Sequence, residues 1–153
     1  MTADELDDLS RYPLFPKGAR TLVELLGAKA TAALITAWPG QRFPVPTQIG
    51  GTAPAGKRRW AQLVSVVGEA SAKKVVAYCG GGDLEVPSCK EAIHQRLQGL
   101  IRERYDALIR NGYSAPEAVF EVGIAFNMSG KTIERIVNAP APELICTAQG
   151  CLF

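Results

Sequence analysis

The sequence predicts a mainly α-helical fold, in which two short helix–turn–strand units precede a group of three helices. Three observations lead to this prediction. An apolar pattern occurs twice before Pro87, and each occurrence closes with a Gly-containing turn and a short extended segment ending in Val-Pro. After Pro87, apolar residues recur at the spacing that is typical of amphipathic helices. Ser residues and an Asn-Gly step divide that region into segments of helical length.

Composition restricts the class of protein. The chain has 153 residues, of which 47% are hydrophobic and 21% are charged. This length suits one ordinary domain or two very small ones, and the composition is sufficient for a packed core. The formal net charge of +2 is only mildly basic. Charge alone therefore does not indicate a nucleic-acid partner.

Neither a membrane span nor a secretory signal is predicted. No apolar run approaches the roughly 18 residues that a membrane span needs. The start of the chain, MTADELDDLS, carries four acidic residues and lacks the apolar centre of a secretory signal. We therefore expect a cytoplasmic protein without a membrane partner.

The cysteines do not indicate a metal or disulfide site. They are Cys79, Cys89, Cys146 and Cys151, no two of them form a CxxC pair, and the single histidine, His94, is not part of a ligand motif. A zinc site needs closely spaced Cys and His ligands, and a disulfide framework needs a secreted context. We expect idle thiols, no metal and no cofactor.

An internal repeat links two parts of the chain. Residues 22–46 align without gaps on residues 63–87, and apolar residues face apolar residues even where identity is lost. The identical pairs are Leu22 with Leu63, Val23 with Val64, Gly27 with Gly68, Gly40 with Gly81, Val45 with Val86, and Pro46 with Pro87. The alternative is a chance resemblance between two Ala- and Val-rich helices.

Each copy of the repeat reads as a helical segment, a Gly turn and a short strand. The strands are residues 42–45 and 83–86, and the following proline stops each of them. A lone strand leaves its backbone groups unpaired, so each must pair with the other copy or with a partner chain. The repeat therefore predicts a small antiparallel sheet, within either a homodimer or an internal pseudo-dimer.

These patterns predict a division of the chain into six parts. A Gly/Pro/Ala-rich linker separates the two units, and an acidic arm and a Cys-containing tail flank the ordered region. The parts are an N-terminal arm (1–19), a first unit (20–46), a linker (47–59), a second unit (60–87), a three-helix region (88–139) and a tail (140–153).

Cap and stop signals define the three helices after Pro87. A Ser followed three residues later by Glu is a capping box, and Asn-Gly tolerates the left-handed backbone that ends a helix. The signals are Ser88 with Glu91, Asn111-Gly112, Ser114 with Glu117, and Ser129, which starts a last helix ending near Asn138.

The junction of the last two helices has the features of a helix-turn-helix. This motif needs a close helix crossing, a tight turn, a cap and apolar anchors on the second helix. These needs are met, in order, by Gly123, Asn127 with Met128, Ser129, and Ile133 with Ile136. A generic helical hairpin is the alternative, because it satisfies some of these needs by chance.

A last helix placed in the major groove of DNA would read bases with its first and outward residues. Lys131 and Arg135 suit guanine edges or phosphates, Asn138 suits adenine, and Glu134 suits cytosine. The candidate DNA-binding residues are Ser129, Gly130, Lys131, Thr132, Glu134, Arg135 and Asn138. Three arginines of the preceding helix, Arg102, Arg104 and Arg110, are candidates for phosphate contacts or for solvated charges of a helix face.

Residues 63–138 resemble the Mor/C family of phage middle-operon transcription activators. The matching pieces are GGDLEVP (81–87), the Arg-rich helix ending at Gly112, and MSGKTIERI (128–136). The resemblance implies a dimeric activator that binds double-stranded DNA and recruits RNA polymerase at phage or prophage promoters. It places the chain at the nucleoid of a bacterial host and assigns dimerisation to the strand region. The chain departs from the family pattern by having two such units instead of one.

Two other classes of function are alternatives to a DNA-binding protein. Near-neutral charge and the repeated unit favour a protein-interaction module that retains the helix-turn-helix fold without binding DNA. An enzyme would use Cys89 near a helix start, with His94 five residues on. Helical spacing puts these two side chains on different faces, so no catalytic residues and no enzymatic activity are expected.

Overall fold

The computed structural model of the chain describes residues 1–145. The end of the predicted tail, including Cys146 and Cys151, lies outside the described residues. Within them, eight helices and two strands follow one another along the chain. They are α1 (Ala3–Leu9), α2 (Lys17–Leu26), α3 (Ala28–Ala37), β1 (Arg42–Pro44), α4 (Pro54–Val67), α5 (Glu69–Cys79), β2 (Asp83–Glu85), α6 (Lys90–Arg110), α7 (Ala115–Phe126) and α8 (Gly130–Asn138).

The acidic N-terminal arm contains a helix that the sequence analysis did not predict. Thr2 and Glu5 form a capping box at the start of α1, and Leu6 and Leu9 are buried against the core. The T-x-x-E signal and the three-residue spacing of the two leucines were present in the sequence. The arm is therefore an integral part of the first hydrophobic core.

Each segment predicted as one helix is a pair of helices. Gly27 separates α2 from α3, with φ 87° and ψ 163°. Gly68 separates α4 from α5, with φ 85° and ψ 163°. This region of backbone space is essentially restricted to glycine. Each glycine therefore allows the chain to end one helix and start the next, in a conformation that would strain other residues. We refer to α2, α3 and β1 as the first unit and to α4, α5 and β2 as the second unit.

The strands of the two units pair with each other. β1 and β2 form a two-stranded antiparallel sheet in which Arg42 lies opposite Glu85 and Phe43 lies opposite Leu84. Phe43 and Leu84 are buried, whereas the flanking strand residues are exposed. The strands thus obtain their hydrogen bonds within one chain.

The predicted linker is shorter than composition suggested. Residues 54–59 belong to α4, so only residues 47–53 of the predicted linker lie outside a helix. Pro54 occupies the first turn of α4, where its missing N–H costs no helical hydrogen bond and its fixed φ favours the helix. The second half of the Gly/Pro/Ala-rich segment, which had been predicted to be a linker, is therefore the start of a helix.

The long helix α6 connects two hydrophobic cores. Its first turns contribute Ala92 to the larger core, which also contains the two units and α1. Its later turns contribute Ile101 and Leu108 to a second core shared with α7 and α8. At about 1.5 Å per residue, the 21 residues of α6 are long enough to reach both cores.

The start of α6 differs from the predicted capping box. The helix begins at Lys90, and the N-cap is Cys89, which has a left-handed backbone and makes no capping hydrogen bond with its side chain. Ser88 lies one position too early to act as the cap. The sharp change of direction after Pro87 thus overrides the local S-x-x-E signal.

The coarse prediction of the fold is confirmed. The described chain is mainly helical and contains one small antiparallel sheet. None of its described helices is both long enough and apolar enough to span a membrane.

Candidate nucleic-acid interface

The candidate site lies on the three helices at the end of the described chain, α6, α7 and α8, which we call the headpiece. Each of these helices packs against the other two. Their shared core consists of Ile101, Leu108, Ala118, Val122, Ile133 and Ile136. This packing fixes the orientation of α8 relative to the rest of the headpiece.

The start of α7 is defined by a complete capping box. The Glu117 amide donates to the Ser114 hydroxyl, and the Ser114 amide donates to the Glu117 carboxylate at 2.9 Å. The backbone hydrogen bond from Ser114 lowers the pKa of Glu117 below its ordinary value. The predicted cap is therefore present, and it fixes where α7 begins.

A short turn joins α7 to α8. Asn127 has a left-handed backbone with φ 53°, and the Met128 amide donates to the Gly123 carbonyl at 2.9 Å. This is the hydrogen bond of a Schellman helix end, with Asn127 in the position where glycine is commonest. The turn contains only Asn127, Met128 and Ser129.

Gly123 is required by the close approach of the turn. A Cβ atom at this position would lie 2.9 Å from the Met128 carbonyl oxygen and 3.9 Å from Ile133 Cγ1. The first distance is shorter than ordinary Cβ contacts, so a larger residue would displace the turn backbone. The packing role that the sequence suggested for Gly123 has this geometric basis.

Ser129 and Gly130 fix the start of α8. The Thr132 amide donates to the Ser129 hydroxyl at 3.3 Å, and the Ser129 and Thr132 hydroxyls lie 2.9 Å apart. A Cβ atom on Gly130 would meet Val119 Cγ1 at 3.4 Å, so α8 begins close against α7. Ser129 and Thr132 thus hydrogen-bond to each other at the start of α8, and other residues form the outward face of the helix.

The outward face of α8 is polar and uncovered. Ile133 and Ile136 are buried, whereas Lys131, Arg135 and Asn138 are exposed, as is Glu134. Positions 131, 135 and 138 recur at helical spacing and therefore share one face. Within residues 1–145, neither Lys131 nor Arg135 forms a salt bridge. Both cations are thus available to a ligand.

The three arginines of α6 divide into two kinds. Arg102 Nε donates to the Ile136 carbonyl at 3.1 Å, in the last turn of α8. Its Nη1 atom is buried and has no hydrogen-bond partner in the described part of the chain. Arg102 is therefore half-buried and attaches α8 to α6. Arg104 and Arg110 are exposed and remain candidates for phosphate contacts.

Cys89 and His94 do not form a reactive pair in this geometry. Cys89 is buried, and burial raises the pKa of its thiol, which opposes formation of a nucleophilic thiolate. His94 is exposed, and its Nε2 lies 3.1 Å from Gln98 Nε2. No group of three or more His, Cys, Asp and Glu side chains in the described residues is arranged to hold a metal ion.

An exposed apolar patch on α7 was not predicted from the sequence. Phe120 is 65% exposed and Ile124 is 63% exposed. They line a groove that continues to Asn127 and Gly130, beside the start of α8. α7 packs against α6 and α8 through other residues, which leaves Phe120 and Ile124 exposed.

Comparison with known proteins adds no assignment, since no family model, no curated protein and no solved structure matches the chain.

Proposed function

We propose that the chain is a sequence-specific DNA-binding transcription regulator, in which α7 and α8 form a helix-turn-helix and α8 reads the major groove. One observation supports this most strongly. The turn at Asn127–Ser129, with Gly123 packed against the Met128 carbonyl, holds two short helices close together and leaves a polar face of α8 uncovered. A recognition helix requires this combination.

The charges of the headpiece fit a reader of bases better than a general binder of the DNA backbone. Lys131 and Arg135 are exposed cations on one face of α8. Lys131 lies in the first turn, where the free amides of the helix start favour a phosphate, and Arg135 lies in the last turn. Acidic residues elsewhere in the headpiece, such as Glu117 and Glu121, offset much of the positive charge. Sequence-independent attraction to phosphates is therefore weak, and contacts to base edges contribute more of the affinity.

The direction of regulation follows from the family resemblance. If the chain acts as Mor/C-like activators do, it binds upstream of a promoter and recruits RNA polymerase. The two helix–helix–strand units would then represent a duplicated dimerisation unit.

Fluorescence anisotropy with a duplex from the region upstream of its own operon tests the proposal. The variant Lys131→Ala with Arg135→Ala should bind at least about tenfold more weakly, because each base contact contributes about 1–3 kcal/mol. The slope of log Kd against log salt should also fall, by roughly one for each lost phosphate contact.

The matched control removes two exposed lysines of α5, in Lys73→Ala with Lys74→Ala. It changes the net charge equally but lies outside the headpiece, so its DNA affinity should remain close to that of the parent chain. Absence of DNA binding by the parent at low salt would contradict the proposal, as would equal weakening in the two double variants.

A second candidate function is supported by the apolar patch on α7. Phe120 and Ile124 are exposed, and the acidic Glu117 and Glu121 lie on the same helix. An exposed apolar patch with charged neighbours is typical of a protein-binding surface. Binding to purified RNA polymerase without DNA, lost in Phe120→Ser with Ile124→Ser, would favour this candidate if the parent chain also lacks DNA affinity.

A further inference from the structure

The pairing of β1 with β2 obeys a two-fold relation between the two units. In the sequence alignment, residue 42 corresponds to 83, residue 43 to 84, and residue 44 to 85. In the sheet, Arg42 pairs with Glu85, Phe43 with Leu84, and Pro44 with Asp83. Exchanging the two units converts the first pair into the third and leaves the Phe43–Leu84 pair unchanged. This is the register that a two-fold axis between Phe43 and Leu84 produces.

The hydrogen bonds beside the sheet obey the same relation. The Val45 amide donates to the Gly82 carbonyl, and the Val86 amide donates to the Gln41 carbonyl, both at 2.9 Å. These two bonds exchange when the units exchange. The breaks at Gly27 and Gly68 have nearly identical backbone angles, as described above. The two units therefore meet as the two halves of a symmetric dimer, joined by residues 47–53.

The outer edges of the sheet are unsuited to a further strand. In an antiparallel strand, every second residue directs its backbone N–H and C=O groups toward the partner strand. Along β1 these are the odd-numbered residues, because the Val45 amide and the Gln41 carbonyl both form hydrogen bonds with the second unit. The backbone nitrogen of Pro44 therefore faces outward, where proline has no hydrogen to donate. The corresponding edge of β2 carries the exposed Asp83 and Glu85. Proline and charge both oppose pairing with a second chain.

Within residues 1–145, one headpiece accompanies these two units. After Pro87 the chain continues directly into α6 and the headpiece, whereas after Pro46 it turns through residues 47–53 into α4. A symmetric dimer of chains would present two recognition helices to DNA. This core, complete within one chain, presents one.

Exposed apolar residues on α6 form only a short series. Ile93 and Leu100 lie seven residues apart on α6 and are 42% and 46% exposed. The next position in that series toward the end of α6 is near Arg104, which is charged and exposed. The apolar series thus spans about one heptad, whereas a stable helical seam between chains needs about three or four.

We infer that the protein binds DNA as a single chain and recognises one unrepeated site with one α8 helix. This inference rests on the proposed function and specifies the form of its DNA target. The target is a site shorter than one helical turn of DNA, which is about 10 base pairs, with no second half-site related to it by symmetry.

Selection of duplexes from a random library by the intact chain, followed by native mass spectrometry with the selected duplex, tests this inference. The expected result is an unrepeated motif and a complex containing one chain. Two chains on a repeated site, in either orientation, would overturn the inference while leaving the proposed function intact. Enrichment of no sequence would instead refute the proposed function, and the inference with it. Lys131→Ala with Arg135→Ala should abolish the enrichment, which would assign the selection to α8.

Discussion

The first and second units have the same order of elements, helix, helix and strand, but differ in what covers them. In the first unit α1 packs against α3, and Ala32 is only 2% exposed. The corresponding residue of the second unit is Lys73, which is exposed and forms a salt bridge with Glu69 at 3.5 Å. At positions that face the common core, such as Leu34 and Val75, both units are apolar and buried. The two units thus have similar residue types at positions that face the common core. They differ in the region where α1 covers the first unit but not the second.

Reciprocal substitutions at the corresponding positions test this comparison most strongly. Ala32→Lys places a charge at a buried position of α3 and should lower the free energy of unfolding by about 3 kcal/mol or more, because a buried charge without a partner is costly. Lys73→Ala should change it by less than about 0.5 kcal/mol, as surface substitutions usually do. Denaturant unfolding measures both values. Similar small effects in the two variants would show that α1 does not cover α3 as described.

The two inter-helix glycines should respond alike. Gly27→Ala and Gly68→Ala each force a Cβ into a backbone region that is essentially restricted to glycine, at a cost of about 1–3 kcal/mol. No atom lies within 4 Å of the added Cβ at either position, so backbone strain alone sets the cost. Thermal unfolding should show similar losses for both variants. A loss in one variant only would contradict the equivalence of the units.

The headpiece, which only the second unit carries, offers a matched pair of glycines inside helices. Gly123→Ala should lower stability by roughly 1–2 kcal/mol, since the clash with the Met128 carbonyl outweighs the gain in helix propensity. Gly99→Ala in α6 should raise stability by about 0.5–1 kcal/mol, because its Cβ would meet only Tyr12 Oη, at an ordinary 3.6 Å. Denaturant unfolding compares the two. Equal stabilisation by both would mean that the turn is not held close to α7.

The ion pair across the sheet should matter least. Arg42 Nη2 lies 2.7 Å from Glu85 Oε1, but both side chains are largely exposed. Exposed pairs contribute about 0–1 kcal/mol, so Arg42→Ala should lower the unfolding temperature only slightly. The effect should be smaller still at high salt, because dissolved ions screen the attraction between exposed charges. A large loss would indicate that the register of the sheet depends on this charge pair instead of on Phe43 and Leu84.

Features with local causes were predictable from the sequence. The stop at Asn111-Gly112 and the caps at Ser114 and Ser129 were all correctly located, because a cap depends on a few neighbouring residues. The strands were found for a similar reason, since Gly turns and Val-Pro endings bound them. Of the candidate DNA-contact residues, Lys131, Glu134, Arg135 and Asn138 lie on the exposed face that the periodicity of α8 predicted.

Features with tertiary causes were not predictable in this way. Gly27 was expected to lie inside one helical segment, but it separates α2 from α3, which pack against each other. Arg102 looked like its exposed neighbours, but the position of α8 directs it at the Ile136 carbonyl. Phe120 is a large apolar residue, and the orientation of α7 nevertheless leaves it exposed. In each case the deciding contact involves residues that are distant in sequence or another helix.

The central claim is that α8 is the part of the molecule that contacts DNA. The most direct test is an NMR titration of the uniformly ¹⁵N-labelled chain with a duplex, followed at each backbone amide. The account predicts that the amides of residues 129–138 shift or broaden, with Lys131, Arg135 and Asn138 foremost, while those around Lys73 on α5 remain unchanged. Unchanged amides along α8, or changes confined to the two units, would contradict it.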